Sequence, residues 1–164
     1  MDSKLRERAR RVRLLAMDVD GVLTDAAMYY GERGEELKRF NTRDGMGVTL
    51  VHAAGIRTAI LTQESSPIVT RRAAKMKIGD VCLGVRDKLA ALRRIAERHG
   101  IGLNEVAYIG DDVNDVEAMR HVGLAVAVRD ATPLPLSVAH FVTDAGGGQG
   151  AVRELCELIL EAQG

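Results

Sequence analysis

Four short stretches of the chain carry side chains suited to handling a phosphate. Asp18 and Asp20 stand two residues apart behind an apolar run, and Thr62 follows a second such run. Lys88 comes just after Gly84-Val85-Arg86-Asp87, and Asp111, Asp112 and Asp115 follow Gly110. Carboxylates gathered in one place repel one another and call for a counter-charge, and an oxygen-only donor set points to a hard cation such as Mg²⁺. No His/Cys set competes for zinc. With a cation, a lysine and a hydroxyl converging, an incoming phosphate has its charge neutralised and its oxygens hydrogen-bonded, which is the setting of phosphoryl transfer. Taken singly, each residue has a plainer use. Asp and Thr cap helices and turns, and Lys88 fits a solvated helix face.

The elements that must position these residues read as an α/β alternation. Short apolar runs predict strands at Val12–Met17, Arg57–Leu61, Val81–Leu83, Val106–Ile109, Leu124–Val128 and Phe141–Val142. Helical periods fill the gaps: Gly45–Ala54 ending at Gly55, a helix with Ser66 as N-cap and Pro67 in its first turn, Asp87–His99, Asn114–His121 and Ala151–Ala162. This is the pattern of a parallel sheet sandwiched by helices, in which the carboxyl ends of the strands share one edge and ligands bind there. Asp18, Thr62 and Asp111 all follow such ends. The alternation breaks at residues 27–40, where Ala27–Tyr30 and Glu35–Phe40 flank Gly31-Glu32-Arg33-Gly34 as a β-hairpin insertion. Residues 145–164 form a glycine-rich loop and a last helix.

Composition limits the alternatives. The 164 residues suit one domain spanning 1–164, and 46% hydrophobic with 28% charged residues are ordinary globular values. Lys+Arg and Asp+Glu both number 23, so no net field draws the chain to nucleic acid or an anionic membrane. No run suits a membrane span or a secretory leader, so a cytoplasmic protein is the expectation. The basic opening, with Lys4, Arg6, Arg8, Arg10, Arg11 and Arg13, reads as a solvated arm or first helix turn. Cys82 and Cys156 read as buried thiols of a reducing compartment.

Asp18-Val19-Asp20-Gly21-Val22-Leu23-Thr24, Thr62, Lys88 and Gly110-Asp111-Asp112-Val113-Asn114-Asp115 resemble the four ordered motifs of the haloacid dehalogenase (HAD) superfamily of phosphatases. The resemblance implies a Rossmann-like HAD fold with the small β-hairpin in place of a cap domain. It extends to the cap-less subgroup that includes the 3-deoxy-D-manno-octulosonate 8-phosphate (Kdo 8-phosphate) phosphatases, through Phe40-Asn41-Thr42-Arg43-Asp44-Gly45 and Gly147-Gly148-Gln149-Gly150-Ala151-Val152-Arg153-Glu154. It implies Asp18 as nucleophile, Asp20 as general acid and base, and Thr62 and Lys88 gripping the phosphoryl group. Mg²⁺ is implied on the Asp18 carboxylate, the Asp20 carbonyl and Asp111. Asp115 would steady Lys88 or a metal-bound water, and Asp112 would either assist or cap the next helix. A homotetramer is implied, in which hairpins form a shared barrel and a neighbour covers each cleft.

Substrate choice is expected to rest on Thr24, Arg43, Asp44, Gln63, Glu64, Arg72 and Lys75. Arg72 and Lys75 share a helical face suited to a sugar carboxylate, and Glu64 suits sugar hydroxyls. Gln63-Glu64 replaces the Gly-Arg usual after the threonine in Kdo 8-phosphate phosphatases. Glu64 with Arg72 and Lys75 is instead similar to phosphatases of the nine-carbon KDN or N-acylneuraminate 9-phosphates. Both sugar acid phosphates stay open. Two other classes are a receiver-like phospho-Asp signalling domain and a non-catalytic HAD-like oligomerisation module. The order Asp18, Thr62, Lys88, Asp111, and the presence of Asp20, argue for turnover.

Overall fold

The computed structural model describes residues 1–164. Six parallel strands form the sheet: β1 (Leu14–Met17), β4 (Arg57–Leu61), β5 (Asp80–Cys82), β6 (Val106–Gly110), β7 (Leu124–Ala127) and β8 (Phe141–Val142), in the order β5-β4-β1-β6-β7-β8. β1 lies at the centre because all four of its residues are apolar. Leu15 and Met17 enter one core while Leu14 and Ala16 enter the other, as successive side chains on a strand must. The first core is closed by α1 (Ser3–Arg10), α2 (Thr42–Ala53), α3 (Pro67–Lys75) and α7 (Ala151–Gln163). The second is closed by α4 (Lys88–Arg98), α5 (Val116–His121) and α6 (Pro133–Val138). α7 shows why such a segment is helical: Ala151, Val152, Leu155, Cys156, Ile159 and Ala162 form a buried stripe at helical spacing.

From β1 the chain moves outward through β4 and β5, then returns to β6 on the other side of β1. The two connections leave in opposite directions, which opens a crevice at the carboxyl ends of β1 and β6. The hairpin β2 (Tyr29–Gly31) and β3 (Gly34–Leu37) sits apart from the main sheet, anchored below by a bridge between Thr24 and Phe40. Its strands are shorter than the expected Ala27–Tyr30 and Glu35–Phe40. Gly31 pairs with Gly34, leaving Glu32 and Arg33 as the turn.

Several expectations need correction. The basic opening is a two-turn helix, because Asp2 caps it by accepting a hydrogen bond from the Leu5 amide at 2.8 Å. α2 begins three residues before Gly45, since Asn41 accepts from the Arg43 amide at 2.9 Å. Ser66 precedes α3 as expected but does not cap it with its side chain; its hydroxyl donates to Glu35 Oε1 at 3.4 Å. Cys82 is only half-buried, and Met28, Tyr29 and Tyr30 of the hairpin are exposed. α6 was not foreseen. No helix is long and apolar enough to cross a membrane.

Candidate active site

The loop after β1 brings the first two carboxylates to the crevice. Asp18 is buried, with Oδ1 accepting from the Val19 amide at 2.7 Å. Gly21 turns the chain with φ +86°, a left-handed conformation, and lies so close to the Asp111 carboxylate that a Cβ would collide with it. Behind this loop, Gly147 packs on the Gly21 and Thr24 carbonyls with no room for a side chain. The glycine-rich segment thus closes down on the β1 loop of its own chain.

Lys88 opens α4 on the same stripe as Ala91, Leu92, Ile95 and Ala96, and is itself buried. A cation on a buried stripe needs partners. Its Nζ lies 3.0 Å from Asp18 Oδ2 and 2.6 Å from Asp115 Oδ1. Burial alone would lower the ammonium, but Asp18 and Asp115 outweigh it and hold Lys88 above its ordinary range. Asp115 is the hub. Oδ1 also accepts from the Tyr108 hydroxyl at 2.7 Å, and Oδ2 accepts from the Asp111 and Asp112 amides at 2.9 and 3.3 Å.

One oxygen each of Asp18, Asp111 and Asp115 lies within 4.8 Å of the others. Burial and then repulsion from Asp115 push Asp18 up to about 7, and burial and then Asp18 push Asp111 up to about 8. Such a cluster cannot ionise fully without a counter-charge, and its donors are all hard oxygens. It fits a divalent cation of the Mg²⁺ type. The Asp20 carbonyl accepts no hydrogen bond within the chain, so it remains available as a further oxygen donor.

A cavity of about 340 Å³ opens over this cluster, with Asp18, Asp20, Thr62, Gln63, Glu64, Asp111, Asp112 and Asn114 on its walls. Asn114 Nδ2 donates to Gln63 Oε1 at 3.1 Å, joining the loops after β6 and β4. Asp112 accepts from the Val113 amide at 2.7 Å and caps the short 3₁₀ turn Val113–Asp115 while still lining the cavity.

The remaining expected substrate residues lie elsewhere in this chain. Thr24 is fully buried, and its Oγ1 accepts from the Gly21 and Ala26 amides, so it braces the loop rather than lining the cavity. Asp44 is buried beneath α7, where Oδ1 accepts from the Arg153 amide at 2.9 Å; burial nonetheless holds its carboxyl above the usual range. Arg43 is exposed at the start of α2. Arg72 and Lys75 line a separate groove of about 220 Å³ between α2 and α3. Arg72 Nη2 donates to the Asn41 carbonyl at 3.1 Å, and its guanidinium lies 5.5 Å from the Phe40 ring centre.

Sequence reasoning missed Tyr108 and Lys38. A tyrosine inside the apolar run of β6 needs a buried partner for its hydroxyl, a signal that was present. Lys38 follows β3, and its Nζ meets Asp20 Oδ1 at 2.5 Å. Nothing in the local pattern of the hairpin points to that contact.

Residues 57–155 match the model of the haloacid dehalogenase-like hydrolase family. The chain belongs to the haloacid dehalogenase-like hydrolases. That match begins at β4, and longer relatives extend the likeness through the β1 loop. The chain is 46% identical over 157 residues to the 3-deoxy-D-manno-octulosonate 8-phosphate phosphatase of Escherichia coli K12, covering 96% of this chain and 84% of the relative. The crystal structure of the Yersinia pestis phosphatase of that name superposes with TM-score 0.97 at 45% identity, covering 99% of this chain and 88% of the other. The Moraxella catarrhalis phosphatase, solved with magnesium ion, phosphate ion and KDO, gives TM-score 0.96 at 40% identity, covering 99% and 94%. This HAD hydrolase is therefore a phosphatase by family, built on the Rossmann-like sheet with a hairpin where a cap domain would stand.

Proposed function

We propose that this phosphatase hydrolyses the terminal phosphate of a 3-deoxy-2-ulosonic sugar acid, Kdo 8-phosphate in the first instance, through an aspartyl-phosphate on Asp18. The observation that carries the reading is the contact of Lys88 with both Asp18 and Asp115 at the strand-end crevice, in a chain whose fold superposes on a phosphatase solved with magnesium, phosphate and KDO. Asp18, Asp111 and the Asp20 carbonyl would hold Mg²⁺, which supplies positive charge for the phosphate and for the carboxylates around it.

Asp18 attacks phosphorus. The bond from phosphorus to the sugar oxygen breaks, and Asp20 gives that oxygen a proton. Water then attacks phosphorus, the bond to Asp18 breaks, and Asp20 takes the water proton. Two displacements replace one difficult step, and the proton transfers contribute roughly 10²–10⁴-fold. Lys88 and the Thr62 hydroxyl bind the transferring phosphoryl oxygens. Gln63 and Glu64 face the incoming sugar.

Arg43, Arg72 and Lys75 lie away from this cavity, so in the same reading they act on a cleft of a neighbouring copy in a homotetramer. The exposed Met28, Tyr29, Tyr30 and Leu37 of the hairpin supply apolar area for that assembly. Two unpaired thiols accord with a cytoplasmic setting. Gln63-Glu64 after Thr62 favours a second reading, in which a nine-carbon KDN or N-acylneuraminate 9-phosphate is the preferred substrate.

The test is phosphate release with Mg²⁺ from eight- and nine-carbon sugar acid phosphates, in wild type and Glu64→Ala. The higher kcat/KM identifies the substrate, and Glu64→Ala should mainly raise KM. No release from any of these esters would overturn the proposal.

A further inference from the structure

The hairpin is exposed along most of its length, yet it ends in a lysine whose side chain has 0% of its surface exposed. Lys38 leaves β3 and turns inward. Its Nζ donates to Asp20 Oδ1 at 2.5 Å and to Glu35 Oε2 at 2.9 Å. Glu35 in turn receives the Ser66 hydroxyl, so the hairpin, the β1 loop and the start of α3 meet through one ammonium group. Ordering a long lysine side chain costs rotamer entropy, which two charge-assisted hydrogen bonds offset.

No other group in the chain donates to the Asp20 carboxylate, and Oδ2 has no partner. Asp20 sits in a turn rather than in a helix or strand, so backbone geometry leaves several rotamers open to it. We propose that Lys38 is a positioning residue for Asp20, holding its carboxylate in the one orientation that exchanges a proton with the leaving oxygen. Glu35 keeps Lys38 in place. The hairpin that stands where other members of the superfamily carry a cap therefore contributes to the chemistry as well as to the surface. This inference rests on the role given to Asp20 in the proposed function.

A misdirected acid damages reactions according to how much their leaving group needs a proton. A sugar alkoxide leaves with one, whereas 4-nitrophenolate is stable as the anion. Displacing a reacting group by about 1 Å costs roughly 10²-fold in rate. The experiment compares wild type, Lys38→Met and Lys38→Arg on Kdo 8-phosphate and 4-nitrophenyl phosphate, with Mg²⁺ present. If KDN 9-phosphate proves the better sugar substrate, it takes the place of Kdo 8-phosphate. Lys38→Met should lower kcat on the sugar phosphate about 10²-fold with KM nearly unchanged, while kcat/KM on 4-nitrophenyl phosphate stays within about threefold. Lys38→Arg, which retains charge and donors, should recover part of the lost kcat.

An equal fall in kcat/KM, which reads only as far as departure of the leaving group, on both substrates would mean a purely structural role and overturn the inference. So would a KM rise at constant kcat, which marks direct contact with the sugar, or no change at all. If Lys38→Met has no cooperative unfolding transition, Lys38→Gln is judged by the same comparison. Wild type inactive on every ester overturns the proposed function itself, and wild type active with the wrong variant pattern overturns only the role of Lys38.

Discussion

Lys88 Nζ and Asp115 Oδ1 meet at 2.6 Å, with at most 1% of either side chain exposed. One residue opens the helix after β5 and the other closes the turn after β6, so their contact ties together two loops that leave the sheet on opposite sides of β1. Asp115 also holds the Tyr108 hydroxyl and two backbone amides. The geometry around Asp18 depends on this junction.

Asp115→Ala strips a buried lysine, a buried tyrosine hydroxyl and two amides of their shared acceptor. Removing one partner of a buried pair costs about 3–5 kcal/mol. Denaturant unfolding should show a loss of that order, together with a large fall in phosphate release. A variant as stable as wild type would mean that solvent replaces the carboxylate without cost.

Stability of the metal-free protein should fall as pH rises. Asp18 and Asp111 are lifted from 3.8 to about 7 and about 8, so between about pH 4 and pH 8 the folded chain retains protons that the unfolded chain releases. Their contribution is complete below about pH 4 and is lost as pH passes through the raised values. Mg²⁺ should reverse the trend, with its largest increase in Tm at or above about pH 8. A thermal melt series with Mg²⁺ or with chelator checks this, and a Tm that climbs with pH in chelator would contradict it.

Gly21→Ala places a methyl group against the Asp111 carboxylate in a left-handed turn. The backbone conformation alone costs roughly 1–2 kcal/mol for a residue with a Cβ. Displacement of Asp111 should also weaken the cation site. The half-saturating Mg²⁺ concentration for activity is therefore expected to rise at least severalfold, measured beside Tm.

The positions of Asp18, Thr62 and Asp111 are legible in the sequence because each ends an apolar run, and a parallel sheet sends such ends to one edge. Lys88 is legible from its place at a strand-to-helix turn on the same edge, but a solvated helix face suits it equally until its burial beside Ala91, Leu92, Ile95 and Ala96 is seen. Lys38 is not legible. Its contact with Asp20 arises from how a two-residue turn folds the hairpin back over the β1 loop, and an exposed hairpin carries no burial pattern to reveal it. Thr24 and Asp44 mislead in the opposite way. Polar residues close to a motif resemble ligand contacts, while here they satisfy buried amides of the β1 loop and of α7. The first helix was legible only as one of two alternatives, a solvated arm or a helix turn, because only Ala9 among its residues is buried and its basic surface obscured the period. α6 has two prolines in six residues and little pattern of its own.

The hairpin should govern assembly. Tyr30 and Leu37 are 68% and 63% exposed, apolar surface that a contact between copies would cover. Light scattering after size exclusion should give a tetramer for wild type and a smaller species for Tyr30→Asp combined with Leu37→Asp. A wild-type monomer would remove the neighbouring copy from the substrate site.

The role of Asp18 is tested by quenching the working enzyme in acid and locating phosphoryl groups by mass spectrometry. With Mg²⁺ and substrate, the peptide containing Asp18 should carry one added phosphoryl group, absent with chelator and absent in Asp18→Asn, which should keep its fold but release no phosphate. Undiminished phosphate release by Asp18→Asn, with no phosphoryl group on that peptide in wild type, would contradict the mechanism built here.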